Sequence, residues 1–278
     1  MRIAYVDCFS GISGDMFLGA LIDAGLPLET LRGELAKLAL PEVFSLSVSD
    51  VKKGALRACL LQVDVPHLHA HDSAHGHNHE HEHAHQRGWR EIRELIQTST
   101  LDERVKLTSL AIFSRLAAAE GRVHGVPAKD VHFHEVGAVD SIVDIVGAAV
   151  GLHHLGIERL YASALPMGSG TVQSQHGLLP LPAPATLELL AEAHAPTVPS
   201  QARVELVTPT GAAILAALAT FEQPAMTVAA RGVGAGQREL PWPNILRLIV
   251  GESASADGGH VALETNIDDM NPQLFAPV

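Results

Sequence analysis

Met1-Arg2-Ile3-Ala4-Tyr5-Val6-Asp7-Cys8-Phe9-Ser10-Gly11-Ile12-Ser13-Gly14-Asp15 opens the chain and sets the reading of its fold. Ile3 to Val6 is a short apolar run that reads as a first strand, and it lacks the long apolar core and cleavage site of a signal peptide. Residues 7–15 are rich in turn formers. From Met16 the apolar positions Met16, Phe17, Ala20, Leu21 and Ala24 recur at helical spacing, and Gly25 with Pro27 ends the run. A strand that passes through a loop into a helix is the opening of an α/β domain, with a mixed α+β arrangement as the variant.

The alternation continues outward. The pattern predicts a helix over 28–38, strands over 43–51 and 56–65 around a Lys52-Lys53-Gly54 turn, and helices over 89–97, 101–123 and 139–155. A strand over 159–164, a long Gly/Pro loop over 166–184, a helix over 185–193, a strand over 204–207, a helix over 211–220 and a strand over 244–250 complete the pattern. The expected organisation is a single layered domain over 1–250, a linker over 251–259, and at 260–278 the first strand of a further, truncated domain. The 278 residues are 47% apolar, which suffices for a core of this size.

Composition narrows the function. Lys+Arg number 19 against 31 Asp+Glu, a formal net charge of −12, and aromatics are only 4%. Such a chain lacks both the phosphate-neutralising charge and the stacking rings of a nucleic-acid binder. No uncharged apolar run is long enough to span a bilayer. Cys8 and Cys59 are too few for a disulfide framework. The expectation is a soluble cytoplasmic protein.

Histidine stands out: nine of the 17 lie at His67, His69, His71, His75, His77, His79, His81, His83 and His85. The tract has almost nothing to bury and is predicted to be a disordered loop. Imidazoles suit Ni, Zn, Cu and Co, and a floppy tract imposes no geometry, so it suits exchangeable capture of a transition metal. A plain polar loop or metal storage are the bland readings.

A second constellation is Val131-His132-Phe133-His134-Glu135-Val136-Gly137-Ala138-Val139-Asp140-Ser141-Ile142-Val143-Asp144-Ile145. His132 and His134 share one face of an extended segment. Asp140 and Asp144 share one face of a helix. With Glu135 between them, these five are the candidate catalytic residues, and the two histidines also candidate ligands. Asp144 on an apolar helix is the most telling, because a buried carboxylate needs a partner. The alternative is a helix N-terminus with acids at its positive end.

Ser10, Gly11, Ser13, Gly14 and Asp15 form a Gly-rich loop before a helix, which suits a phosphate or carboxylate. The loop has no Lys, so it is not a P-loop. It reads equally as a tight turn with Ser13 as N-cap, or, through Asp7 and Asp15, as a seat for a hydrated cation. Gly168, Gly170 and His176 in the long loop are further candidates for substrate binding. Thr208-Pro209-Thr210-Gly211 caps either an anion or its own helix. Arg231-Gly232-Val233-Gly234-Ala235-Gly236-Gln237-Arg238 reads as a flexible loop whose arginines are anion ligands or merely solvated. Cys8 is a nucleophile, a soft ligand or a small buried hydrophobe.

Taken in order, five segments resemble the LarC family of nickel insertion proteins: 7–16, 132–145, His176-Gly177 with Pro182-Ala183-Pro184-Ala185-Thr186, Thr208-Pro209-Thr210-Gly211-Ala212-Ala213, and Asn266-Ile267-Asp268-Asp269-Met270. The resemblance implies a cyclometallase of the lyase type. It inserts nickel into pyridinium-3,5-bisthiocarboxylic acid mononucleotide, so that the metal is held by two sulfurs and one ring carbon. The product serves lactate racemase. The reaction consumes CTP with Mg or Mn, and the nucleotide is bound mainly by a C-terminal domain in which Asp268 and Asp269 are candidate metal ligands. Implied partners are that C-terminal domain, the pathway's sulfur-transfer protein, apo lactate racemase and further copies of the chain. The alternatives are a non-catalytic nickel chaperone or storage protein using the His tract, and a metal-dependent hydrolase built on 132–144.

Overall fold

The computed structural model describes residues 1–65, 87–133, 139–174 and 177–254. Strand β1 (Arg2–Asp7) leads through the 8–13 loop into helix α1 (Gly14–Asp23), and α2 (Leu28–Ala36) follows. Strands β2 (Ser45–Lys53) and β3 (Leu56–Asp64) pair as an antiparallel hairpin. Helices α3 (Trp89–Thr98), α4 (Glu103–His124) and α5 (Val139–His154) precede β4 (Arg159–Ala162). Then come β5 (Leu165–Met167), β6 (Thr171–Ser174), β7 (Gly177–Pro180), α6 (Pro184–Glu192), β8 (Thr197–Pro199), α7 (Pro209–Leu218) and β9 (Ala219–Thr220). The last two strands are β10 (Met226–Ala235) and β11 (Ile245–Ser253).

The main sheet has seven strands in the order β2-β3-β10-β11-β1-β4-β9. β1 lies between antiparallel β11 and parallel β4. α1 packs on β3, β10 and β11, and α5 packs against α1, α2, α4 and α7. In β2, Leu46 and Val48 contribute to the core while Ser47 and Ser49 point away, the alternation expected when one face of a sheet is covered. α5 is apolar nearly all round, so it sits inside the helical layer. The acids it carries are therefore drawn into the interior by the packing of their neighbours.

Helix ends follow local chemistry. Asp102 accepts the Arg104 N–H at 2.8 Å at the start of α4, and Gly125, at φ 67°, ends it. Trp89 stacks on Phe113 and Phe113 meets Phe133, with ring centroids 6.2 Å apart in each pair. These contacts fix the extended 131–133 segment against α3 and α4.

The mixed α/β domain is as expected, and three local expectations are corrected. The glycine-rich 231–238 stretch is not a flexible loop: residues up to Ala235 belong to β10 in the middle of the sheet. Its glycines exist because α1 lies directly on them. A Cβ on Gly232 would sit 1.9 Å from the Ala20 carbonyl oxygen, and one on Gly234 would sit 1.8 Å from that of Met16. The 204–207 stretch forms only a single bridge, Ile12 with Val207. β11 runs three residues into the expected linker, as Ser253 donates its N–H to the Met1 carbonyl at 2.9 Å. The long 166–184 loop carries β5 and the β6–β7 hairpin. The His tract at 67–85 and the 260–278 segment lie outside the described residues. No described helix is long and apolar enough to cross a membrane.

Candidate functional site

The loop between β1 and α1 is held from both sides. The Cys8 N–H donates to Ser163 Oγ at 3.0 Å, and the Gly11 N–H returns to the Cys8 carbonyl at 2.9 Å. Ser10 is buried: its hydroxyl accepts from Trp242 Nε1 at 2.9 Å and donates to Asn244 Oδ1 at 3.3 Å. Ile12 exchanges backbone hydrogen bonds with Leu206 and Thr208 at 2.9 and 3.0 Å. Those two bonds bring the N-terminus of α7 beside that of α1.

The result is a cleft of about 220 Å³ lined by, among others, Ser10, Ser13, Asp15, Thr208, Gln237 and Arg238. Two helices of ten residues each open onto it. Their free N–H groups and dipoles favour negative charge there. Thr208 caps α7 by accepting the Gly211 N–H at 3.2 Å. Ser13 occupies the N-cap of α1 without capping it; its hydroxyl bonds to Asp15 Oδ1 instead. Asp15 also accepts the Met16 N–H at 2.8 Å and the Gln237 side-chain amide at 3.0 Å. Arg238 is exposed, and its guanidinium has no partner among the described residues.

The two arginines of the glycine-rich stretch are separated. Arg231 faces Asp23 at 3.7 Å, at the far end of α1, while Arg238 stands at the cleft.

Behind the first turn of α1 lie the acids of α5. A Cβ on Gly14 would come within 2.3 Å of Asp144 Oδ2, so only glycine leaves room for that carboxylate against the helix start. Asp144 Oδ1 is buried with no hydrogen-bond partner. Burial pushes the Asp144 pKa well above the ordinary carboxylate value, and the charges of Asp15 and then Asp140 push the same way. Asp140, in the first turn of α5, accepts the Ser141 N–H at 2.8 Å. Its pKa is raised by desolvation, opposed in part by the backbone bonds it accepts, with Asp15 adding to the rise.

The remaining candidates fall elsewhere. His132 is exposed; its backbone bridges Gly88 at the start of α3, and its flanking residues Val131 and Phe133 are buried. Gly168 and Gly170 pack against the backbone of Val204 and Arg203 rather than lining the cleft. His134, Glu135, His176, Asp268 and Asp269 lie outside the described residues. Among the described residues no three His, Cys, Asp or Glu side chains are grouped to hold a metal ion. Cys8 is buried, and desolvation pushes its thiol up to about 12, so it is the small hydrophobe of the earlier alternatives and no nucleophile. Gln237, Trp242 and Asn244 have no local signature that marks them in the sequence.

The arrangement has the build of a domain that seats a small anion at converging helix starts, with protonatable carboxylates beside it. The chain belongs to the nickel insertion protein family, whose model matches residues 4–278. It is 49% identical over 282 residues to a provisionally named nickel insertion protein of Thermomicrobium roseum, covering 100% of this chain and 66% of that protein. Similarly named proteins of Syntrophobacter fumaroxidans and Pelobacter propionicus are 49% and 51% identical, each matching 100% of this chain and 68% of its own length. The chain thus spans about two thirds of the relatives it matches. No solved structure matches it.

Proposed function

We propose that the chain acts in CTP-dependent insertion of nickel into pyridinium-3,5-bisthiocarboxylic acid mononucleotide, as a nickel chelatase of the lyase type supplying the nickel-pincer cofactor of lactate racemase. Membership of the family supports nickel insertion. The observation that carries the finer reading is the cleft: two helix N-termini and the unpartnered Arg238 suit the single phosphate of such a mononucleotide.

Nickel is a substrate in this scheme, gathered by the His tract and passed to the sulfur-bearing nucleotide. Ser13, Thr208 and Arg238 orient the phosphate, and Asp15 braces the loop through Gln237. The described residues provide no ligand set for the Mg or Mn of CTP, in keeping with a nucleotide site in the C-terminal continuation of the relatives. That continuation, the sulfur-transfer protein, apo lactate racemase and further copies of this chain are the proposed partners, in the cytoplasm.

A second reading, a nickel chaperone or store, draws on the nine-histidine tract alone. Deleting residues 67–85 separates the two. For the enzyme, most loosely bound nickel is lost while product formation with excess nickel persists. For the store, nickel binding and every nickel-dependent phenotype vanish together.

A further inference from the structure

Asp144 is the only carboxylate among the described residues with a buried oxygen that lacks a hydrogen-bond partner. Nothing in the fold calls for it. It lies on the most apolar helical surface of the domain, where an apolar side chain of similar volume would avoid the cost of burying a carboxylate. Its charged neighbours are Asp15 and Asp140, both acids, so no cation compensates it. The fold nevertheless makes room for it: Gly14 lacks the Cβ that would come within 2.3 Å of its Oδ2. Gly14 sits between Ser13 and Asp15, and both of those line the cleft. The carboxylate therefore stands immediately behind the wall on which an anionic substrate would rest.

We propose that Asp144 is the proton acceptor when nickel bonds to the ring carbon of the substrate. This rests on the insertion reaction proposed above. That reaction replaces a C–H bond by a C–Ni bond. The electron pair of the C–H bond becomes the bond to nickel, the proton passes to Asp144, and nickel remains divalent, so no oxidant or reductant is required. The two sulfurs hold the metal in the ring plane beside the carbon. Asp140 lies one helical turn away on the same face and is exposed, which gives the proton an exit to solvent. A carboxylate whose burial and acidic neighbours raise its proton affinity is a stronger base than an exposed one, as abstraction from carbon demands.

The test is an insertion assay with the chain and the C-terminal continuation of a relative supplied, using nickel, CTP, Mg and substrate carrying hydrogen or deuterium at the ring carbon. Asp144→Asn should bind the mononucleotide as the unaltered protein does, yet form the carbon–nickel product about 10²–10⁴-fold more slowly. Asp144→Glu should recover part of the rate, and the unaltered protein should react more slowly with deuterated substrate. Product formation by Asp144→Asn at the full rate would overturn the proposal and leave nickel insertion standing. If the unaltered protein forms no product, nickel insertion fails and this proposal fails with it. Should Asp144→Asn not fold, Gly14→Ala decides: its methyl displaces the carboxylate and should slow the reaction about a hundredfold, whereas an unchanged rate would count against the role of Asp144.

Discussion

Gly234→Ala should lower the stability of the domain by about 3 kcal/mol or more, the upper range for forcing extra volume into a packed interior. The added methyl would fall 1.8 Å from the Met16 carbonyl oxygen and 2.9 Å from the Ala20 nitrogen. Both are backbone atoms of α1, so no rotamer change relieves the contact. Either α1 lifts from β10 or the central strand bends. For a domain of this size the melting temperature should fall by roughly 6–12 °C. Thermal unfolding followed by circular dichroism measures it; a change within about 1 °C would mean that α1 does not lie on this strand. Because the same helix begins at the cleft, the variant should also bind the mononucleotide more weakly.

Arg238→Ala should weaken mononucleotide binding by about tenfold to a hundredfold, which corresponds to the roughly 1.5–3 kcal/mol of a charge-assisted hydrogen bond. The guanidinium is exposed and unpartnered, so its removal should leave the fold intact. The dephosphorylated nucleoside separates the phosphate from the rest of the ligand. It should bind weakly to both proteins and be indifferent to the substitution. Calorimetric titration at low salt reads the difference, because screening reduces the contribution of an exposed charge. Equal affinity of the mononucleotide for both proteins would remove the phosphate from this cleft.

The parts of the fold that were legible in the sequence are those whose pattern is local. α1, α4 and α5 show apolar residues at helical spacing, and β2–β3 alternates around a Gly54 turn. β10 was not legible, because a strand that carries Gly232 and Gly234 shows neither alternation nor branched side chains. Those glycines answer to α1, more than 200 residues earlier in the chain, and no local reading includes that helix. The 204–207 stretch has the composition of a strand, but its only partner is Ile12, so it stays a bridge.

The site divides in the same way. Ser13, Gly14 and Asp15 are visible as a loop before a helix. Trp242 and Asn244 reach Ser10 across more than 230 residues of sequence, only because β11 pairs with β1. Asp144 was marked out by its apolar neighbours. Its setting was not legible: the helix start against which it sits and the oxygen left without a partner are facts of packing.

The most direct measurement is product formation itself. The chain is incubated with nickel, CTP, Mg and the bisthiocarboxylate mononucleotide, with and without the C-terminal continuation of a relative, and the product is resolved by mass and absorption. The account predicts a nucleotide that has gained one nickel and lost one ring proton, with CTP consumed. A nucleotide that remains metal-free in both incubations, while the chain still binds nickel, would contradict it.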